Sequence, residues 1–225
     1  LHKLSALLAS GVLLAIHWTT FFYSIQISSV AIGLITFATF PLFVSALEPF
    51  LFKERFRIQT LLQACLIIFG VSLVVPITNI DEKTLSGVIW GVVSAFTFAL
   101  LTLYNRKVVS NDSAAQLACL QNGFAALCLL PFLWLVEFQM TQSDWFLLIL
   151  LGIVFTALSH TLYNYSLKTV TGQVASIAVS LEPVYGIVAA YLLLGEPLTI
   201  SIVCGCAIVI GTNFWASKRV VESVS

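Results

Sequence analysis

Charge is what this sequence has least of. Of its 225 residues, 9% are Asp, Glu, Lys or Arg, ten acidic and ten basic, for a formal net charge of zero. A soluble domain of this length needs many more charges to cover its surface, so that class is excluded. No basic patch offers a footing for nucleic acid. No short apolar stretch ends in a cleavage site before a soluble domain, so no cleavable signal peptide is read. A Walker A sequence is missing, which removes direct use of ATP. HExxH and GxSxG are missing too, and nothing clusters at metal-ligand spacing. No catalytic residue, cofactor or metal site is therefore assigned. The five cysteines, Cys65, Cys119, Cys128, Cys204 and Cys206, all lie in apolar segments. In Cys204-Gly205-Cys206 the thiols stand two apart, where helical side chains diverge. They are read as small packing residues.

What is there is apolar: 60% of the residues are hydrophobic, with a mean hydropathy of +1.04. Eight apolar spans stand near 4–25, 29–52, 58–77, 85–104, 114–136, 144–166, 172–194 and 199–217. Each is close to the ~20 residues that cross a bilayer as a helix. Open strands cannot satisfy their backbone in lipid, so the expected fold class is an all-α polytopic membrane protein. With residue 1 on the cytoplasmic side, Lys3, Lys53, Arg55, Arg57, Arg106, Lys107, Lys168, Lys218 and Arg219 all fall inside, and Lys83 alone outside. That asymmetry sets the expected orientation, both ends of the chain cytoplasmic, and supports the span count.

Shifting the sequence by 142 residues lays Tyr23–Glu54, "YSIQISSVAIGLITFATFPLFVSALEPFLFKE", over Tyr165–Glu196, "YSLKTVTGQVASIAVSLEPVYGIVAAYLLLGE", without a gap. Tyr-Ser, Pro41/Pro183 and Glu54/Glu196 coincide. The copies are an odd number of spans apart, so they face opposite ways. Inverted repeats of this kind mark secondary transporters.

On these residues the chain resembles the EamA family of the drug/metabolite transporter superfamily. The resemblance implies ten helices in two inverted five-helix halves, both termini cytoplasmic, in a bacterial inner membrane. Residues 1–80 then match the last three helices of the first repeat, and 81–225 the complete second repeat. Two N-terminal helices of that pattern are not in this sequence, which begins at Leu1, and residues are expected to precede it. The resemblance does not give the substrate.

Polar residues gather on single faces. At 100° per residue, Ser10, His17, Thr20 and Ser24 fall within an arc of roughly 80°. Trp90, Ser94, Thr97 and Tyr104 do the same in the fourth span. Thr156, Ser159, His160, Tyr163 and Asn164 span about 140° in the sixth. A single Ser or Thr is commonly interhelical glue. Three concentrated stripes with aromatics are read instead as walls of a water-accessible cavity. His17 and His160 stand at nearly equivalent depths of the two copies, and an intramembrane histidine can bind solute or relay a proton.

Glu182 is an intramembrane carboxylate and so a functional candidate. It also shares a wheel face with Ala175, Ala178, Gly186 and Ala189, which marks close packing. Its repeat mate is Phe40, so the architecture shares the proline and not the acid. The expected solute-binding residues are His17, Trp90, Ser94, Thr97, Thr156, His160, Tyr163, Asn164 and Glu182. Pro41, Pro183, Glu54 and Glu196 are expected to be structural. The prolines break their helices, and the two glutamates stand before a helix start, where a carboxylate complements the positive terminus. Glu48 is left unassigned.

The resemblance implies a secondary transporter, an exporter of small organic metabolites such as amino acids or related amines, working by alternating access. Lys and Arg are missing from the middle of every span. That counts against the phosphate-antiporting branch and suits an amine, an amino acid or a neutral aromatic. The expected partners are a small-molecule substrate and the lipid bilayer, with proton coupling and oligomeric state open. The alternatives are a membrane channel, a non-transporting sensor and a membrane-embedded enzyme.

Overall fold

The computed structural model describes residues 2–52, 59–74, 81–109, 113–135, 139–172, 175, 179 and 182–222. In chain order the helices are α1 (His2–Ile27), α2 (Val30–Phe37), α3 (Phe40–Phe52), α4 (Gln59–Val74), α5 (Glu82–Val109), α6 (Ala114–Leu129), α7 (Gln142–Leu150), α8 (Ser159–Ser166), α9 (Glu182–Leu194) and α10 (Ile200–Glu222). A 3₁₀ turn, Leu130–Leu135, continues α6, and a π-helical stretch, Leu151–Leu158, joins α7 to α8. No strand occurs among the described residues.

Ser5–Ile27, Val30–Phe52, Glu82–Val108, Ala114–Trp134 and Gln142–Ser166 are long and apolar enough to cross a membrane. Shorter apolar helices stand at Cys65–Val74, Glu182–Leu194 and Ile200–Trp215. Large apolar side chains such as Phe146, Leu147, Ile153 and Phe155 are exposed. That is the surface a helical protein presents to lipid.

Local chemistry explains the breaks. Pro41 has no N–H to give the Phe37 carbonyl, and its ring crowds that oxygen. The span accordingly parts after Phe37, where Thr39 N–H turns to Thr36 O at 3.2 Å. Pro41 then occupies the second position of α3, where an N–H has no intrahelical duty. Pro183 lies buried in α9, and residues 180 and 181 before it are outside the described residues. Asp81 starts α5 by accepting the Thr84 N–H at 2.8 Å. Thr141 and Asp144 form a reciprocal capping box on α7.

The chain divides into two compact units. One holds residues 1–16 and 104–171, the other 17–103 and 172–225, so each draws on chain from both sides of residue 80. In the first, α1 approaches α6 at Gly11, where a Cβ would meet the side chain of Phe124. In the second, α4 and α10 meet through Gly70 and Gly205, and a Cβ on Gly205 would stand 2.6 Å from the Gly70 carbonyl oxygen. Small residues of this kind let membrane helices touch backbone to backbone. One buried cluster there joins Ile35, Ala38, Val74 and Val209, and another joins Ala31, Leu34 and Ile187. Cys206 packs against both, while Cys204 is exposed.

Candidate functional site

In the unit holding residues 17–103 and 172–225, the polar faces of α1 and α5 meet at His17 and Ser94. His17 is 7% exposed and Ser94 fully buried. His17 Nδ1 lies 2.8 Å from Ser94 Oγ and 3.2 Å from the Ser94 carbonyl oxygen. Which atom donates follows the imidazole tautomer. Thr97 Oγ1 donates to Ser94 O at 2.9 Å, and Thr20 Oγ1 to His17 O at 3.1 Å, so both hydroxyls serve their own helix backbone. Ser24 Oγ crosses to Gly87 O at 2.6 Å.

Around the imidazole stand rings from three helices. Its centroid lies 4.7 Å from Phe98, 5.2 Å from Phe37 and 6.1 Å from Phe21. Phe40 stacks on Phe37 at 5.2 Å. A hydrogen-bonded imidazole inside a phenylalanine wall offers a polar handle for a hydroxyl, amine or carboxylate, with ring faces for a cation or an aromatic group. Sequence reasoning missed the phenylalanines, because Phe in a span gives the same signal whether it faces lipid, core or solute. Trp90, one turn from Ser94 on α5, sits half exposed and edge-on to Tyr23 at 5.9 Å.

The other unit carries a second polar group. Asn105 on α5, Gln121 on α6 and Asn164 on α8 are all buried. Gln121 Nε2 donates to Asn105 Oδ1 at 2.6 Å, and Asn105 Nδ2 donates to Asn164 Oδ1 at 2.8 Å. One turn before Asn164, His160 Nδ1 lies 3.1 Å from Asn122 Oδ1. Asn164 and His160 were expected from the stripe on their helix. Asn105, Gln121 and Asn122 were not. Asn105 adjoins Arg106 and Lys107 and reads as a span end, and the amides of α6 form no stripe. Thr156 lies inside the π stretch, so a straight wheel misstates its angle to Tyr163 and Asn164. Tyr163 is half-buried.

Glu182 is exposed on α9, while Gly186, one turn on, lies against Leu34. The Glu196 carboxylate reaches a helix terminus, but that of α2 and not of the following α10. It accepts Val30 N–H at 2.9 Å and Ala31 N–H at 3.4 Å. Glu48, unassigned from sequence, is buried and accepts Gly172 N–H at 3.2 Å. Pro41 is buried at the start of α3, Pro183 is buried in α9, and Glu54 lies outside the described residues. Among the described residues no three His, Cys, Asp or Glu side chains gather as metal ligands. No buried side-chain nitrogen or oxygen there lacks a hydrogen bond.

The family model described as the EamA-like transporter family matches residues 1–75 and 85–218. An uncharacterized transporter of Bacillus subtilis (strain 168) is 29% identical over 185 residues, covering 80% of this chain and 59% of that protein. A protein of Salmonella typhimurium named "Probable amino-acid metabolite efflux pump" is 28% identical over 172 residues, covering 70% of this chain and 57% of that protein. The chain thus spans less than two thirds of the length of either relative. A solved crystal structure with 16% sequence identity matches 98% of this chain and 81% of its own, with a TM-score of 0.71. That likeness concerns the fold alone.

Proposed function

The chain belongs to the EamA-like transporter family, and on that premise we infer that it serves a secondary transporter exporting small organic metabolites, amino acids or related amines, by alternating access. The observation that carries the reading is the His17–Ser94 pair, buried between membrane helices and walled by Phe21, Phe37 and Phe98. Bare packing would not require an imidazole there, since an intramembrane ionisable group is costly to keep. Aromatic faces attract an ammonium group, and the imidazole bonds a carboxylate or hydroxyl. The efflux pump of Salmonella typhimurium, by its name, supports the same solute class.

His160 with Asn122, and Asn164 with Asn105 and Gln121, supply the matching polar equipment of the other unit. The proposed solute-binding residues are completed by Trp90, Thr97 and Glu182 in the one unit and by Thr156 and Tyr163 in the other. Pro41 and Pro183 provide the backbone breaks, and Glu54 and Glu196 the ends. We assign any coupling to protons to the two histidines, ionisable side chains within the spans. The inner membrane of a bacterium, with both ends of this chain cytoplasmic, is the proposed setting.

Solute counterflow in proteoliposomes tests the reading. Vesicles preloaded with a mixture of unlabelled amino acids and amines should accumulate a labelled member transiently. Flux without trans-stimulation would mean a channel, and no flux a sensor.

A further inference from the structure

The two prolines mark repeat mates that also touch. Under the 142-residue shift, Val30–Phe52 corresponds to the segment from Gly172 to Leu194. Gly186 lies against Leu34, and Ile187 against Ala31 and Leu34. At one end the Glu196 carboxylate accepts the N–H groups of Val30 and Ala31. Gly195, with φ of 70°, turns the chain that brings it there. At the opposite end of the same span, Glu48 accepts the N–H of Gly172. The two principal donors, Val30 and Gly172, are repeat mates under that shift. The acceptors are not: the mate of Glu196 is Glu54, and Glu48 stands six residues before it. The pair is therefore closed at both ends by one kind of bond, although the sequence repeat supplies only half of that symmetry.

The chemistry suits a contact that must break and re-form. The first N–H groups of a helix have no intrahelical partner. On α2, Ser29 Oγ takes the Ile32 N–H, and Glu196 takes the two before it. A carboxylate is the strongest side-chain acceptor for such donors, and the helix dipole adds to the attraction. When the end parts, water can hydrate the acid and the amides alike, so neither is left unsatisfied. An apolar seal offers no such exchange. Gly172 has the corresponding closeness, since a Cβ there would stand 3.2 Å from Glu48 Oε1 and 3.4 Å from Val44.

We propose that Glu196 with Val30–Ala31, and Glu48 with Gly172, are the two gate latches of the transport cycle. One holds each end of the repeat pair, and they open in alternation. The proposal rests on the transporter reading above and adds which residues close each end.

The test uses the intact protein in lipid nanodiscs, with its native cysteines replaced and one reporter at a time. The reporters are Ala31→Cys at the Glu196 end and Ser45→Cys at the Glu48 end, both buried positions. A water-soluble maleimide reads their exposure. Glu196→Gln should raise labelling at position 31 about tenfold and lower it at position 45; tenfold corresponds to about 1.4 kcal/mol. Glu48→Gln should do the reverse. Plain helix caps would loosen locally without closing the far end, so changes of the same sign at both reporters, or no change, overturn the proposal. If a Gln variant does not purify, Glu→Asp at the same position, which keeps the charge and shortens the reach, repeats the comparison. Labelling needs no solute. A failure of the transport reading would show separately, as absent counterflow by the unsubstituted protein with the opposed labelling retained.

Discussion

Replacing Asn105 by alanine should destabilise the chain measurably, because this one amide serves two others. It accepts from Gln121 at 2.6 Å and donates to Asn164 at 2.8 Å, across three helices, and all three residues are at most 3% exposed. Interhelical polar contacts in membrane bundles run from ~0.6 to ~1.7 kcal/mol each. Losing two gives an expected loss of about 1–3 kcal/mol. The upper half of that range applies if the stranded amides find no water, since an orphaned buried polar group costs more than the bond it lost. Equilibrium unfolding in mixed micelles measures the change. Replacing Asn105, Gln121 and Asn164 together by leucine should recover part of it, because no buried amide then lacks a partner. A loss below ~0.3 kcal/mol for Asn105→Ala, within the usual scatter between independent sites, would refute the triad as a tie between helices.

Gly205→Ala should destabilise by about 1–3 kcal/mol, since its Cβ would press on the Gly70 carbonyl of α4. Gly123→Ala, with nothing within 4 Å of the new Cβ, should instead gain up to ~1 kcal/mol from helix propensity; the same unfolding assay reads both. The Asp81 carboxyl is held below the ordinary carboxylate value, first by its side-chain hydrogen bond with Thr84. A depressed acid contributes above its unfolded value and loses that contribution as pH falls. Protection of the Thr84 amide from hydrogen exchange, corrected for intrinsic rate, should therefore fade on acidification, and should show no such step in Asp81→Ala.

Much of this was readable from residues, and the limits have physical causes. Pro41 announced its break because a missing N–H acts locally, whatever packs outside; the residues before Pro183 lie outside the described residues. His17 and Ser94 were found because a polar side chain in an apolar span stands out against its neighbours. A helical wheel, however, gives a face and not a partner. It could not show that His17 meets Ser94, or that Glu196 reaches past its own helix to α2. Asn105 escaped notice beside Arg106 and Lys107, where a polar residue is unremarkable. Phe37 and Phe98 were invisible for the opposite reason, being apolar among apolar residues. Thr156 was placed by a constant 100° step, and the π stretch around it does not keep that step.

The central claim is that His17 and Ser94 hold the solute. Counterflow of a labelled amino acid or amine by three forms of the intact protein tests it: unsubstituted, His17→Asn and Ser94→Ala. Asparagine keeps a hydrogen-bonding atom near the Nδ1 position and removes the rest of the ring. The account predicts that all three insert and purify alike, and that counterflow falls at least tenfold in both variants. Counterflow at the unsubstituted rate in His17→Asn, with unchanged solute preference, would contradict it.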